Sequence, residues 1–208
     1  IPSGETSSLR SNPLKLAEFA LSRKDPEYVG RAKDVFAFEK KREADPADAS
    51  VLQAVRKALA PLEKSDKALF DALCGGRDLA GTGIGSTIFA MKPGDGSARE
   101  QAASSQKVLG GWANLALEYA TKRYRSNLIN WGMLPFLCEP GIEKTIANGD
   151  YILVPGIRTA VKEKKEVIPA LFIHDGRVSA LSLKLGDLTD DERRIILDGC
   201  LINFYNEK

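Results

Sequence analysis

Histidine is almost absent from this 208-residue chain and cysteine is scarce: one His, at position 174, and three Cys, at 74, 138 and 200. Each scarcity excludes a chemistry. The cysteines stand far apart and form no C-x-x-C pair, so a zinc or iron–sulfur site built from this chain alone is not expected. Their odd number argues against a disulfide framework, and an intracellular, cytoplasmic protein is the default expectation. His174 precedes Asp175-Gly176, a pair that favours a tight hairpin, so it is expected in a surface turn. A Ser-His or Cys-His catalytic pair therefore has little to draw on.

Charge of one sign is also missing. With 30 basic and 28 acidic residues the net charge is +2, so no broad field draws in nucleic acid or an anionic membrane, and a nucleic-acid partner is disfavoured. The densest cluster, Lys162-Glu163-Lys164-Lys165-Glu166, is mixed in sign and reads as a solvated loop or strand end. No apolar run approaches the roughly 20 residues needed to span a bilayer, and the opening Ile1-Pro2-Ser3-Gly4 lacks the layout of a signal peptide. No membrane partner is expected. With Ile rather than Met first, the expectation is a piece of a longer protein. There is no Walker-type loop. Gly81-Thr82-Gly83-Ile84-Gly85-Ser86 is a poor dinucleotide fingerprint, because it precedes a strand instead of following one, and a flexible connector is expected there.

What is present suffices for a core: 43% of residues are apolar, an ordinary globular content. The length suggests one domain, residues 1–208, with an extension. After turn-rich residues 2–8, Leu14, Ala17 and Leu21 give helical spacing up to Asp25-Pro26. Helical patterns over 29–42, 50–62 and around Leu69 and Leu73 form an added helical segment, 29–74, on one side of the core. Beyond Gly75-Gly76 the pattern becomes strand (86–91), loop (92–96) and helix (97–106). A buried strand (113–120) and a helix (121–131), stopped by Gly132 and Pro135, come next. Strands at 151–154, 167–173 and 178–185 precede a capping box, Thr189 to Glu192, that opens a last helix. The sum is an α/β fold with a mixed sheet.

The segment Gly96-Ser97-Ala98-Arg99-Glu100-Gln101 is the most informative. Ser97 and Glu100 have the spacing of a capping box. The same placement also supports chemistry: a serine at a helix N-terminus sees the positive end of the dipole, Arg99 adds a permanent charge, and both stabilise an alkoxide.

Gly-Asp-Gly-Ser-Ala-Arg-Glu-Gln, from Gly94 to Gln101, is followed by Leu109-Gly110-Gly111 and by Arg125-Ser126-Asn127-Leu128-Ile129-Asn130-Trp131-Gly132-Met133-Leu134-Pro135. Upstream stand Leu9-Arg10-Ser11-Asn12, Asp25-Pro26-Glu27-Tyr28 and Arg31-Ala32-Lys33, and Asp198-Gly199-Cys200-Leu201 opens the last segment. In this order and spacing they resemble the C-terminal swivelling domain of the aconitase and isopropylmalate dehydratase superfamily over nearly the whole chain. The resemblance implies a swivelling β/β/α domain cut from a longer multidomain enzyme. That enzyme would be a hydro-lyase or isomerase acting on a hydroxy di- or tricarboxylic acid, and the isolated fragment would be inactive. It further implies Ser97 as the catalytic base and Arg10 and Arg99 as substrate-carboxylate anchors. A four-iron, four-sulfur cluster would be held by other domains, which are this chain's partners, with no cluster in the fragment itself.

Two positions depart from the family pattern. The family's second serine is Ala98 at the substrate-binding position, a lost hydrogen bond worth roughly 1–3 kcal/mol, and the family histidine is Gln101. These departures leave open the identity of the acid. They also leave an alternative, a non-catalytic relative serving as a binding or regulatory module, for example for RNA, against which the near-neutral charge weighs.

Overall fold

The computed structural model describes residues 1–206 without positions 3 and 77, so the opening turn-rich stretch includes one position, Ser3, outside the described residues. Helix α1 (Pro13–Ala17) starts on Asn12, whose side chain accepts from Lys15 N, with Pro13 in its first turn. It is shorter than its spacing predicts. The chain leaves the helix after Ala17 and runs on in turns in which Leu21 takes φ 56°, a left-handed backbone that interrupts any right-handed helix.

Helix α2 (Tyr28–Ala44) is followed by α3 (Ala49–Leu59), capped by Asp48, which accepts from Ser50 N and Val51 N. Pro61 separates α3 from α4 (Leu62–Ser65), and Asp66, accepting from Leu69 N, starts α5 (Lys67–Cys74). Glycines 83 and 85 lie under Trp112. A Cβ at either would stand 2.4 Å and 1.9 Å from its ring, so the glycine run is a seat for an indole as well as a connector.

The sheet begins with β1 (Ser86–Ala90), α6 (Arg99–Val108), β2 (Gly111–Ala116), α7 (Lys122–Asn130) and β3 (Leu134–Cys138), two crossovers with parallel pairing. The sequence reading of Pro135 only as a helix stop missed β3. Pro135 pairs with Asn114 of β2 on one side, while the other neighbour, β6 (Arg177–Lys184), engages only Leu137 and Cys138, so the missing N–H breaks no ladder. The chain continues with β4 (Tyr151–Leu153), α8 (Ile157–Lys162), β5 (Ile168–His174), β6 (Arg177–Lys184), α9 (Asp190–Asp198) and α10 (Leu201–Asn206). Asp175 and Gly176 close the β5–β6 hairpin with φ 45° and 71°, as the Asp-Gly pair predicts. The expected capping box forms on α9 between Thr189 and Glu192.

Strand order is β1-β2-β3-β6-β5-β4, antiparallel from β3 onward, which makes the sheet mixed and the fold α/β. On one face Leu115, Phe136, Ile168, Ala170 and Leu183 pack with Ile129, Val161, Ile195 and Ile196 of the helices. Side chains alternate along a strand, so Leu171 and Ile173 of β5 point the other way, onto Leu59, Leu62, Phe70 and Leu73. Among the described residues no helix is long and apolar enough to cross a membrane.

Candidate functional site

The loop between β1 and α6 is held in place by backbone. Glu118 N donates to Met91 O at 3.1 Å and Ala120 N to Pro93 O at 2.9 Å, extending the β1–β2 pairing into the loop. Gly94 then takes φ 101°, and a Cβ there would stand 2.5 Å from that of Tyr124, so glycine is required. Its carbonyl accepts from Thr121 Oγ1 and from Arg99 Nε, both at 3.0 Å, which ties the loop to the N-terminus of α7 and to the first residue of α6. Behind it lies a buried polar relay: Gln106 Nε2 donates to Asn114 Oδ1 at 2.5 Å, and Asn114 Nδ2 to Tyr124 Oη at 2.8 Å.

Ser97 stands at the end of this loop, exposed, one residue before the N-cap of α6. The capping box read from Ser97 and Glu100 does not form. Ala98 is the N-cap and has no side-chain oxygen, while Glu100 Oε1 accepts from Trp131 Nε1 at 3.1 Å. The consequence favours chemistry over capping, because the serine hydroxyl is not spent on the helix and the first amides of α6 receive no side-chain cap.

Ser97, Ala98 and Gln101 line a cavity of about 590 Å³ together with Thr6, Ser7 and Arg10 from the chain's start and Leu16 of α1. Arg10 follows a single turn of 3-10 helix, Ser7–Leu9; it is exposed and has no carboxylate partner among the described residues. The cavity therefore brings together Arg10, Ser97 and Ala98, three of the four residues singled out in the sequence. Arg99 is half-buried, is not part of the lining, and spends its Nε on Gly94 O. Gln101, noted only as a departure from the family, takes part in the lining. Thr6, Ser7 and Leu16 carried no sequence signal, since hydroxyls and a leucine in a turn-rich stretch have many ordinary uses.

His174 opens the predicted hairpin turn, paired with Arg177 across Asp175 and Gly176. It is the last residue of β5, and its Nδ1 donates to both carboxylate oxygens of Asp150, at 2.9 and 3.0 Å. Burial pushes the Cys74 and Cys138 thiols up, which keeps them protonated and poor metal ligands. Among the described residues no three His, Cys, Asp or Glu side chains gather as a metal site, so the donor set here does not fit an iron–sulfur cluster.

Parts of the chain are similar to known proteins. Residues 84–140, from the end of the glycine run to the turn after β3, match the aconitase C-terminal domain family. Aconitate hydratase A of Rickettsia bellii is 27% identical over 150 residues, 70% of this chain but 16% of that protein's length. A solved 3-isopropylmalate dehydratase from Methanocaldococcus jannaschii overlaps 66% of this chain and 74% of its own at 23% identity, with a TM-score of 0.45. The matched segment contains the loop, Ser97 and the two parallel crossovers, and on that ground this part of the chain resembles the aconitase C-terminal domain.

Proposed function

We propose that this chain is the swivelling domain, residues 1–208 with helices 29–74 as its added segment, of a longer aconitase-like hydro-lyase or isomerase. Its substrate is a small hydroxy di- or tricarboxylic acid. The observation that carries the reading is the shared cavity: Arg10, near the start of the chain, and Ser97, at the mouth of α6, line one space. A multiply charged acid needs planar, permanently charged donors, and Arg10 supplies one in the cavity that Ser97 also lines. Arg99, outside this lining and with its Nε on Gly94 O, remains the second candidate anchor on the family pattern alone.

Ser97 acts as the base. Its hydroxyl, free of capping duty, loses its proton to solvent where the uncapped amides of α6 and the Arg10 guanidinium stabilise the alkoxide; the alkoxide then takes a proton from the carbon beside a substrate carboxylate. Ala98 offers no hydroxyl to a carboxylate, so the acid it meets either lacks a group there or has that group met by Gln101, one helical turn on. The described residues offer no ligand set for a four-iron, four-sulfur cluster, and the reading assigns it to other domains of the same enzyme. This chain alone therefore binds part of the substrate without turning it over.

The test uses the intact enzyme. Ser97→Ala is expected to lower kcat by about 10²–10⁴-fold with KM little changed, because a base acts in the transition state. Arg10→Lys is expected to raise KM by at least about tenfold through loss of bidentate contact. Unchanged turnover in the serine variant would refute its role, and salt-sensitive RNA binding without hydratase activity would favour a non-catalytic relative instead.

A further inference from the structure

A second cavity, of about 270 Å³, shares no lining residue with the one around Ser97; it is lined by Thr145, Phe172, His174, Arg177, Val178 and Ser179. Strand alternation puts Phe172 and His174 on one face of β5, and the register sets Ser179 opposite Phe172 and Arg177 opposite His174. The imidazole is held twice: by the Asp150 carboxylate on Nδ1, and by stacking on Phe172 with centroids 5.8 Å apart and planes 10° apart. Asp150 is fixed in turn by Ala147 N, which donates to its Oδ2 at 2.7 Å. A carboxylate can only accept, so Nδ1 carries the proton and Nε2 is the nitrogen left for another partner. The Arg177 side chain makes no hydrogen bond or ion pair with a described residue, which leaves its guanidinium open beside an oriented ring.

We propose that this cavity binds a small oxyanion, held by the Arg177 guanidinium and the His174 Nε2–H, with the Ser179 hydroxyl as a further donor. The charged groups closest in register or sequence to the ring are Asp150, Asp175 of the hairpin turn and Arg177, with Glu143 and Lys144 just before Thr145. Asp150 is occupied by the imidazole and by Ala147 N. With Nδ1–H committed to Asp150, the donor the ring can offer an oxyanion is the Nε2–H of the imidazolium.

The chain's single histidine makes the test direct, because every imidazole resonance in its NMR spectrum belongs to residue 174. Sulfate, whose charge does not change near neutral pH, is titrated into the full chain, with acetate as the carboxylate probe and chloride at matched ionic strength as control. The expected result is a saturable shift of the imidazole resonances with sulfate or acetate but not chloride. Arg177→Gln, an exposed strand-end change that leaves the core untouched, is expected to abolish it. Resonances that stay still under both oxyanions, or that move equally with chloride or in R177Q, would overturn the site. Saturation by sulfate alone points to a phosphate-like ligand, and by acetate alone to a carboxylate; either supports it.

Discussion

Tyr28 carries a hydroxyl into a place that gives it no partner. The side chain is buried, and neither its Oη nor the neighbouring Ser86 Oγ, also buried, makes a hydrogen bond in good geometry. Burial pushes the phenol from its ordinary 10.0 up to about 12, opposed only in part by the Ser86 hydroxyl. The folded value lies above the unfolded one, so this contribution to stability is complete below about pH 10 and is lost as pH rises through about 12. Tyr28→Phe is expected to leave stability near neutral pH unchanged or raised by about 1 kcal/mol, since an unsatisfied group is removed. It should also flatten the alkaline loss by on the order of 2–3 kcal/mol in denaturant unfolding followed across that range. Equal pH slopes in the two proteins would show that the phenol does not ionise with unfolding. Other single residues differ in how far the sequence discloses them. Ser97 and Arg10 stand out in the sequence because a motif surrounds each, and they line one cavity. The failed capping box was not, because what draws Glu100 away is Trp131, on another helix, and what fixes the serine's position is the carbonyl of Gly94. The Asp150–His174 pair was hidden for the same reason, with partners 24 positions apart and no local pattern joining them.

At the scale of elements, α2 is joined to the glycine-rich connector by a buried ion pair. Arg42 donates from Nε and Nη2 to Glu39 at 2.7 and 2.9 Å, and its Nη1 donates to the carbonyls of Leu79 and Ala80. Glu39 in turn accepts from Ile84 N at 2.9 Å. Both side chains are buried, so removing one leaves the other charged and unpaired. Arg42→Met is expected to destabilise by about 3–5 kcal/mol. The double variant with Glu39→Gln should be less destabilised than the sum of the two single changes by about 1–3 kcal/mol. Additive losses in urea unfolding would mean that the pair does not act as a unit. The sequence disclosed α2 itself but not this clamp, since three residues' separation on a charged helix ordinarily means a solvated pair. It disclosed the β5–β6 hairpin through Asp175-Gly176, yet concealed β3, where a proline in an inner strand is tolerated because the sixth strand meets it only beyond Pro135.

For the molecule as a whole, the question is whether the helices between positions 28 and 74 are a passive addition. They reach both ends of the sheet: Val29 and Ala32 of α2 pack in a cluster with Ile88 of β1, and Phe70 and Leu73 of α5 pack under Ile173 and Val178 of the hairpin. Stripping them would leave Leu153, Leu171 and Ile173 facing water on a sheet whose other face holds the larger core. A layer that completes a core should unfold with it and not before it. Phe70→Ala tests this, because it opens a cavity in that layer and is expected to cost about 3–5 kcal/mol. The two tryptophans report from elsewhere, Trp112 on the glycine seat beside β2 and Trp131 at the end of α7. If the layer is part of one cooperative unit, their fluorescence midpoint falls together with the far-ultraviolet circular-dichroism midpoint in the variant. A circular-dichroism transition that moves down alone, with the tryptophan signal unchanged, would show that the helical layer melts off an intact sheet. The wall that carries Ser97 would then owe nothing to it.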